Sequence, residues 1–178
     1  MGVATLQNEN PSPAPRSMQL QEGVHRVGPQ EGARLLEVWE ASVRATHHFL
    51  SESDIQFFKP LVLQELFALE HLLCVRDLQG RLLGFVGVTG AKMEALFIDP
   101  SCHGAGVGRT LARHAVVELG ATAVDVNEQN ERAVAFYRRL GFEVEGRSEL
   151  DGTGKPFPLL HMRRRLAVSD FASAFRSP

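Results

Sequence analysis

Cysteine, tryptophan and tyrosine are scarce in this chain: its 178 residues include two, one and one of them. Cys74 and Cys102 form no CxxC pair. That excludes a disulfide framework as the basis of the fold and points to a reducing compartment, the cytoplasm. No apolar run approaches the roughly 20 residues needed to cross a bilayer. The first residues also lack the apolar stretch of a secretory signal. Gly2 does not open a myristoylation motif, because Leu6 stands where Ser or Thr is required. An excess of either charge is missing as well, with 19 basic against 21 acidic residues. No broad positive field then argues for a nucleic-acid partner, and any phosphate binding must be local. No repeat of solenoid length is present. What remains, 44% hydrophobic and 22% charged residues, is the make-up of one soluble globular domain.

Residues 1–19 are rich in Asn, Ser and Pro and bury too little to offset their own ordering entropy, so they are expected to be a disordered tail. The domain is expected over 20–166. A second tail, 167–178, carries Phe171 and Phe175 at a spacing suited to one weakly amphipathic turn. Within the domain a short strand is predicted over 24–27. A helix from Pro29 follows, with Leu36, Trp39, Val43, His47 and Leu50 on one face. A second helix is predicted over 53–69, kinked or divided by Pro60. The period then changes to that of strands. HLLCVRD and RLLGFVGV are separated by Leu78, Gln79 and Gly80 and read as an antiparallel hairpin. MEALFID makes the next strand, and a glycine-rich loop leads into a helix with Val107, Leu111, Ala115 and Leu119 on one face, stopping at Gly120. TAVDVN, a helix bearing Ala133, Phe136, Tyr137 and Leu140, and two final strands complete the pattern. The fold class is α+β, with a mixed sheet and helices on both faces.

The loop His103-Gly104-Ala105-Gly106-Val107-Gly108 sits between a strand and a helix. That geometry leaves several backbone N–H groups unpaired at the helix N-terminus, where the helix dipole adds about half a positive charge. Glycines let the main chain approach an anion closely, and Arg109 and Arg113 add local positive charge. A phosphate-binding P-loop needs Lys and then Ser or Thr after its last glycine, and Arg109-Thr110 supplies no lysine. A dinucleotide fingerprint needs GxGxxG in the first βαβ unit of a parallel sheet, whereas these glycines follow an antiparallel hairpin. A glycine-rich connection with no ligand is the bland alternative.

Two motifs set that loop in context. ALFIDPSCHGAGVGRTLARHA resembles the strand, proline and pyrophosphate loop of the GNAT (GCN5-related N-acetyltransferase) superfamily, and VNEQNERAVAFYRRLGF resembles its Asn-to-Tyr strand and helix. The resemblance spans 24–166, and ATHHFL, MEALFIDP and GRSELDGTGKPFPLL further resemble its bacterial YjaB-type subgroup. It implies a mostly antiparallel sheet of six to seven strands. It also implies acetyl-CoA as co-substrate and direct attack of a primary amine on the thioester, with no metal. Cofactor contacts are then expected from Leu96, Phe97 and Ile98, from His103, Gly104, Ala105, Gly106, Val107, Gly108 and Arg109, and from Asn127, Asn130, Ala133, Phe136 and Tyr137. One departure stands out: His103 replaces the usual Arg or Gln of the loop. An imidazole still hydrogen-bonds a phosphate.

The chemistry requires a base for the ammonium, a donor for the oxyanion and an acid for the leaving sulfur. Tyr137 is the expected acid, since a phenol with a pKa of about 10 is protonated at neutral pH; a core aromatic is its structural alternative. Asn127 is the third expected catalytic group, and Asn130 suits a helix cap. Glu94 is the first candidate base, placed by the two-residue period on one face with Leu96 and Ile98. His47 and His48 are its competitors and the expected acceptor-site residues, leaving the first helix about 100 degrees apart. Cys102 has no His and Asn or Asp partner pattern and is expected to be a bystander. Arg163 to Arg165 read as a solvated edge. A non-catalytic acyl-CoA-binding module and a nucleotide-binding domain are the competing functions. The acceptor amine and the choice between monomer and homodimer are not readable from the residues.

Overall fold

The apolar runs on either side of Gly80 pair as the hairpin their turn predicts. In the computed structural model, which describes residues 19–165, β2 (His71–Arg76) and β3 (Leu82–Thr89) are antiparallel. The expected tails lie outside the described residues, apart from Gln19 at the end of the first. β3 is buried along its length except at Thr89, as a central strand must be. β1 (His25–Arg26), two residues of the expected 24–27, pairs with β2. β4 (Lys92–Ile98) pairs with β3. β5 (Ala123–Asn127), β6 (Phe142–Ser148) and β7 (Leu159–Arg164) complete a seven-stranded sheet of order β1-β2-β3-β4-β5-β7-β6.

Only β4 and β5 are parallel neighbours, and they share just two registered pairs, Lys92 with Ala123 and Met93 with Val124. β5 is held along all five of its residues by β7 instead. β4 and β5 therefore part company after Met93, and the sheet opens into a wedge.

Helices cover both faces. α1 (Gly32–Thr46) and α2 (Glu52–Phe67) pack on one side around Leu35, Trp39, Phe85 and Ala95. α3 (Val107–Val117) and α4 (Glu131–Arg139) pack on the other around Val107, Leu111, Val124, Tyr137 and Phe142. Four expectations need correction. The buried stripe of α1 is Leu35, Val38, Trp39, Ser42 and Val43, with Leu36 only half-buried. His47 caps the helix with φ −110° and Leu50 lies past its end, so neither continues that stripe. α2 runs undivided through Pro60, because Pro60 and Gln56 both face solvent, where water takes up the carbonyl that the missing N–H leaves unpaired. Finally, β7 is an interior strand: Arg163 is exposed beside Glu145, but Arg164 is buried and donates from Nε to Leu140 O at 2.9 Å, so the arginine run is no solvated edge.

Candidate active site

Asp99 fixes the loop between β4 and α3. Its carboxylate accepts from Ser101 N and Oγ at 3.0 and 2.7 Å, and Arg34 Nη2 reaches it from α1 at 2.6 Å. Burial alone would raise the Asp99 pKa, but the Ser101 and Arg34 hydrogen bonds outweigh it and bring the value to about 2. The chain then turns through Gly104 (φ +83°) and Gly106 (φ +84°), where any side chain would be strained. Gly106 is the N-cap of α3, and Thr110 N to Gly106 O is the first helical bond at 2.9 Å. The amides of Val107, Gly108 and Arg109 precede it and have no intrahelical acceptor. His103 and Ala105 spend theirs on Pro100 O and Cys102 O.

A cleft of about 660 Å³ runs from this loop into the wedge between β4 and α4. Leu96, Phe97, Ile98, His103, Gly104, Gly106, Val107, Gly108, Arg109, Asn130, Ala133, Phe136 and Tyr137 border it, thirteen of the fifteen positions expected to meet the cofactor. Ala105 does not, and Asn127 turns elsewhere. Asn130 caps α4 as expected, accepting from Ala133 N at 3.1 Å. Tyr137 has its ring edge-on to Phe136 and Phe142, and burial pushes the phenol pKa above its ordinary value. It is thus both a core aromatic and a cleft residue. Ser42, Thr46, Arg132 and Arg139 also border the cleft and were missed. Nothing in the local pattern singles out α1 residues that reach the site only through packing. Cys102 lies on the wall, with its thiol pKa raised by burial, a poor state for a nucleophile.

A second cavity, of about 430 Å³, lies between α1, α2 and the sheet. Glu94 and Asn127 both border this one and not the cleft. The reason for Glu94 is a β-bulge: Gly87 pairs with Ala95 and Val88 with Met93, leaving Glu94 as the extra residue. The extra residue breaks the two-residue alternation. Met93, Leu96 and Ile98 pack towards α3 and α4, while Ala95 and Phe97 pack towards α1 and α2. Glu94 joins the latter side, contrary to the face expected for it, and accepts from Lys92 Nζ at 2.9 Å. Lys92 also reaches Asp125 at 2.9 Å, across the only stretch where β4 and β5 pair.

His47 and Phe97 border both cavities. Burial, with repulsion from His48, pushes the His47 pKa down to about 4. His48 is exposed and borders neither cavity. Among the described residues no group of three or more His, Cys, Asp or Glu could hold a metal ion, and no helix is long and apolar enough to cross a membrane.

A family model described as an acetyltransferase (GNAT) domain matches residues 69–144, which include the bulged strand, the loop and α4. The chain is 42% identical over 139 residues to the peptidyl-lysine N-acetyltransferase YjaB of Salmonella typhimurium, covering 78% of this chain and 95% of that protein. Apo-YjaB from Escherichia coli superposes with a TM-score of 0.74 at 40% identity, over 82% of this chain and 98% of that one. The PaiA N-acetyltransferase of Thermoplasma acidophilum, solved with coenzyme A, shares the fold at a TM-score of 0.62 and 20% identity, over 83% and 100% of the two chains. With such identity over nearly the whole of a curated relative, the chain belongs to the GNAT family, and it is an N-acetyltransferase that draws its acetyl group from acetyl-CoA.

Proposed function

We propose that the acetyl group passes directly to the ε-amine of a lysine side chain in a protein acceptor. The observation that carries this reading is the shared wall: His47 and Phe97 border both cavities, so an acyl group in the cleft and an amine in the second cavity meet there. The second cavity matches a lysine in chemistry. Trp39, Phe58 and Phe157 suit an apolar stem, and the carboxylates of Glu65, Glu94 and Asp151 suit a cationic head. The relative named as a peptidyl-lysine acetyltransferase supports the same acceptor.

In this reading the pyrophosphate lies on the amides of Val107, Gly108 and Arg109, with the His103 and Arg109 side chains beside it. Gly104, Ala105 and Gly106 shape the turn that presents them. The pantetheine arm follows Leu96, Phe97 and Ile98 on one wall and Ala133 and Phe136 on the other. β4 has no strand partner on this side beyond Met93, so its outward amides are free for the thioester carbonyl. The amine lone pair forms the C–N bond, the C–S bond breaks, and the thiolate takes the Tyr137 phenol proton. Glu94 and Asn127 belong to the acceptor side, Glu94 drawing in the ammonium, while exposed His48 borders neither cavity and acts only through its repulsion of His47. Cys74 and Cys102 are both free and buried, which fits a cytoplasmic site of action.

The test is incubation of the protein with acetyl-CoA and lysine-containing peptides, followed by CoA release and mass spectrometry. Acetylation at lysine, lost when the ε-amine is blocked, is the expected result. Turnover on small amines but on no peptide would move the acceptor to a metabolite. Binding of acetyl-CoA with no turnover on any amine would leave a non-catalytic acyl-CoA-binding module.

A further inference from the structure

The end of α1 fixes a protonation pattern. Thr46 Oγ1 lies 2.7 Å from Ser42 O and 2.8 Å from His47 Nδ1. A hydroxyl has one hydrogen to give, and the Ser42 carbonyl can only accept it. Thr46 therefore donates to Ser42, and its remaining lone pairs leave His47 Nδ1 as the donor in the second bond. The neutral ring is then the Nδ1–H tautomer, with the free lone pair on Nε2. No hydrogen bond engages Nε2 among the described residues, and the ring stands at the wall common to the two cavities.

We infer that His47 Nε2 receives the proton given up by the attacking amine, with Thr46 as the positioning residue that sets its tautomer. The inference rests on the reading of the two cavities given above. The bound ammonium first gives one proton to solvent; as the neutral amine nitrogen then bonds to the thioester carbon it becomes positively charged and far more acidic than the starting ammonium. Its proton passes to Nε2, and the imidazolium stays anchored through Nδ1–H to Thr46. The C–S bond breaks, the thiolate takes the Tyr137 proton, and the imidazolium returns a proton through solvent to the phenolate. Glu94, the base expected from the alternation of β4, already accepts from Lys92 at 2.9 Å and serves to attract the ammonium.

The titratable and charged groups around the ring's two cavities are His48 beside it, Glu65, Glu94 and Asp151 on the second cavity, and Cys102, His103, Arg109, Arg132, Tyr137 and Arg139 on the cleft. Burial keeps His47 neutral through the working range, which leaves Nε2 available without a protonation step near pH 6.5.

Nitrogen-15 NMR of the full chain and steady-state kinetics test this together. The expected spectrum shows His47 protonated at Nδ1 and bare at Nε2 at neutral pH. Thr46→Val is expected to mix the tautomers and lower kcat about tenfold, the worth of one net hydrogen bond. Thr46→Ser, which keeps the hydroxyl, restores most of that rate. His47→Gln is expected to lower kcat about 100-fold with acetyl-CoA affinity unchanged by calorimetry. A proton on Nε2 in the wild type, or an unchanged kcat in His47→Gln, overturns the inference. A large loss in Glu94→Gln without one in His47→Gln assigns the proton to Glu94 instead. Absence of acetyl-CoA binding by the wild type removes the cleft reading itself, an outcome distinct from loss of the His47 role alone.

Discussion

Tyr137 has two jobs that one substitution separates. Its ring packs between Phe136 and Phe142, and its phenol is the proton donor of the proposed reaction. Tyr137→Phe keeps the packing and removes the donor. It is expected to lower kcat about 100-fold, a usual share for one general acid, while the thermal midpoint and the acetyl-CoA affinity stay near wild type. An unchanged kcat would mean that water protonates the sulfur. Gly106 is the reverse case, a residue whose value lies in having no side chain. At φ +84° an alanine costs about 1 kcal/mol in backbone strain. Nothing stands within 4 Å of an added Cβ, so steric crowding adds nothing to that cost. The strain is relieved by moving the amides that follow. Gly106→Ala is therefore expected to weaken acetyl-CoA binding in calorimetry by more than it destabilises the fold, and equal losses would speak against the anion cradle.

At the scale of elements, the loop holds its shape because α1, β3 and β4 brace it. Arg34 Nη2 reaches Asp99 at 2.6 Å and its Nε donates to Leu82 O at 3.0 Å, while Asp99 N donates to Leu83 O at 2.8 Å. Arg34→Ala removes the nearer of the two cations at the Asp99 carboxylate and leaves Arg81 Nη2 at 3.6 Å. It is expected to cost about 2 kcal/mol in urea unfolding, the worth of a hydrogen bond to a charged group, since Arg81 and Ser101 still compensate the carboxylate. Acetyl-CoA binding should weaken with it, since Asp99 anchors the entry to the loop. Stability within about 0.5 kcal/mol of wild type would show the pair to be as unimportant as most surface ion pairs. The loop and its helix were legible in the sequence because glycine spacing is a local constraint. The bulge at Glu94 was not: it arises from a mismatch in length between β3 and β4, a property of two paired strands and not of either one.

For the whole molecule, acid is the condition that separates folded from unfolded. The unfolded chain protonates His47 near its ordinary 6.5, whereas the folded protein keeps it neutral down to about 4. The unfolded state binds more protons across that window, so stability falls as pH drops through it. Asp99 adds a second step of the same sign. Folded, its carboxylate keeps its charge to about 2; unfolded, it takes up a proton near 3.8, so its contribution is lost as pH falls from 3.8 towards 2. Thermal midpoints from pH 7.5 to 4 should decline in the wild type, and His47→Gln should flatten the decline above pH 4. Parallel curves for the two proteins would show that His47 is not held neutral by the fold.

The sequence by itself determined the strands and helices, the hairpin at Gly80, the glycine-rich turn into α3, the Asn130 cap and the family. Each of these depends on spacing within one segment or on a motif that stays contiguous along the chain. Tertiary structure decided which residues meet. It set Glu94 and Asn127 on the second cavity, buried Arg164 inside an interior strand, and brought Ser42, Thr46 and His47 from α1 to the wedge where β4 leaves β5. Those placements follow from strand register and from the packing of helices on opposite faces of a sheet. Both are fixed by contacts between segments far apart in sequence, and periodicity within a single segment carries no record of them.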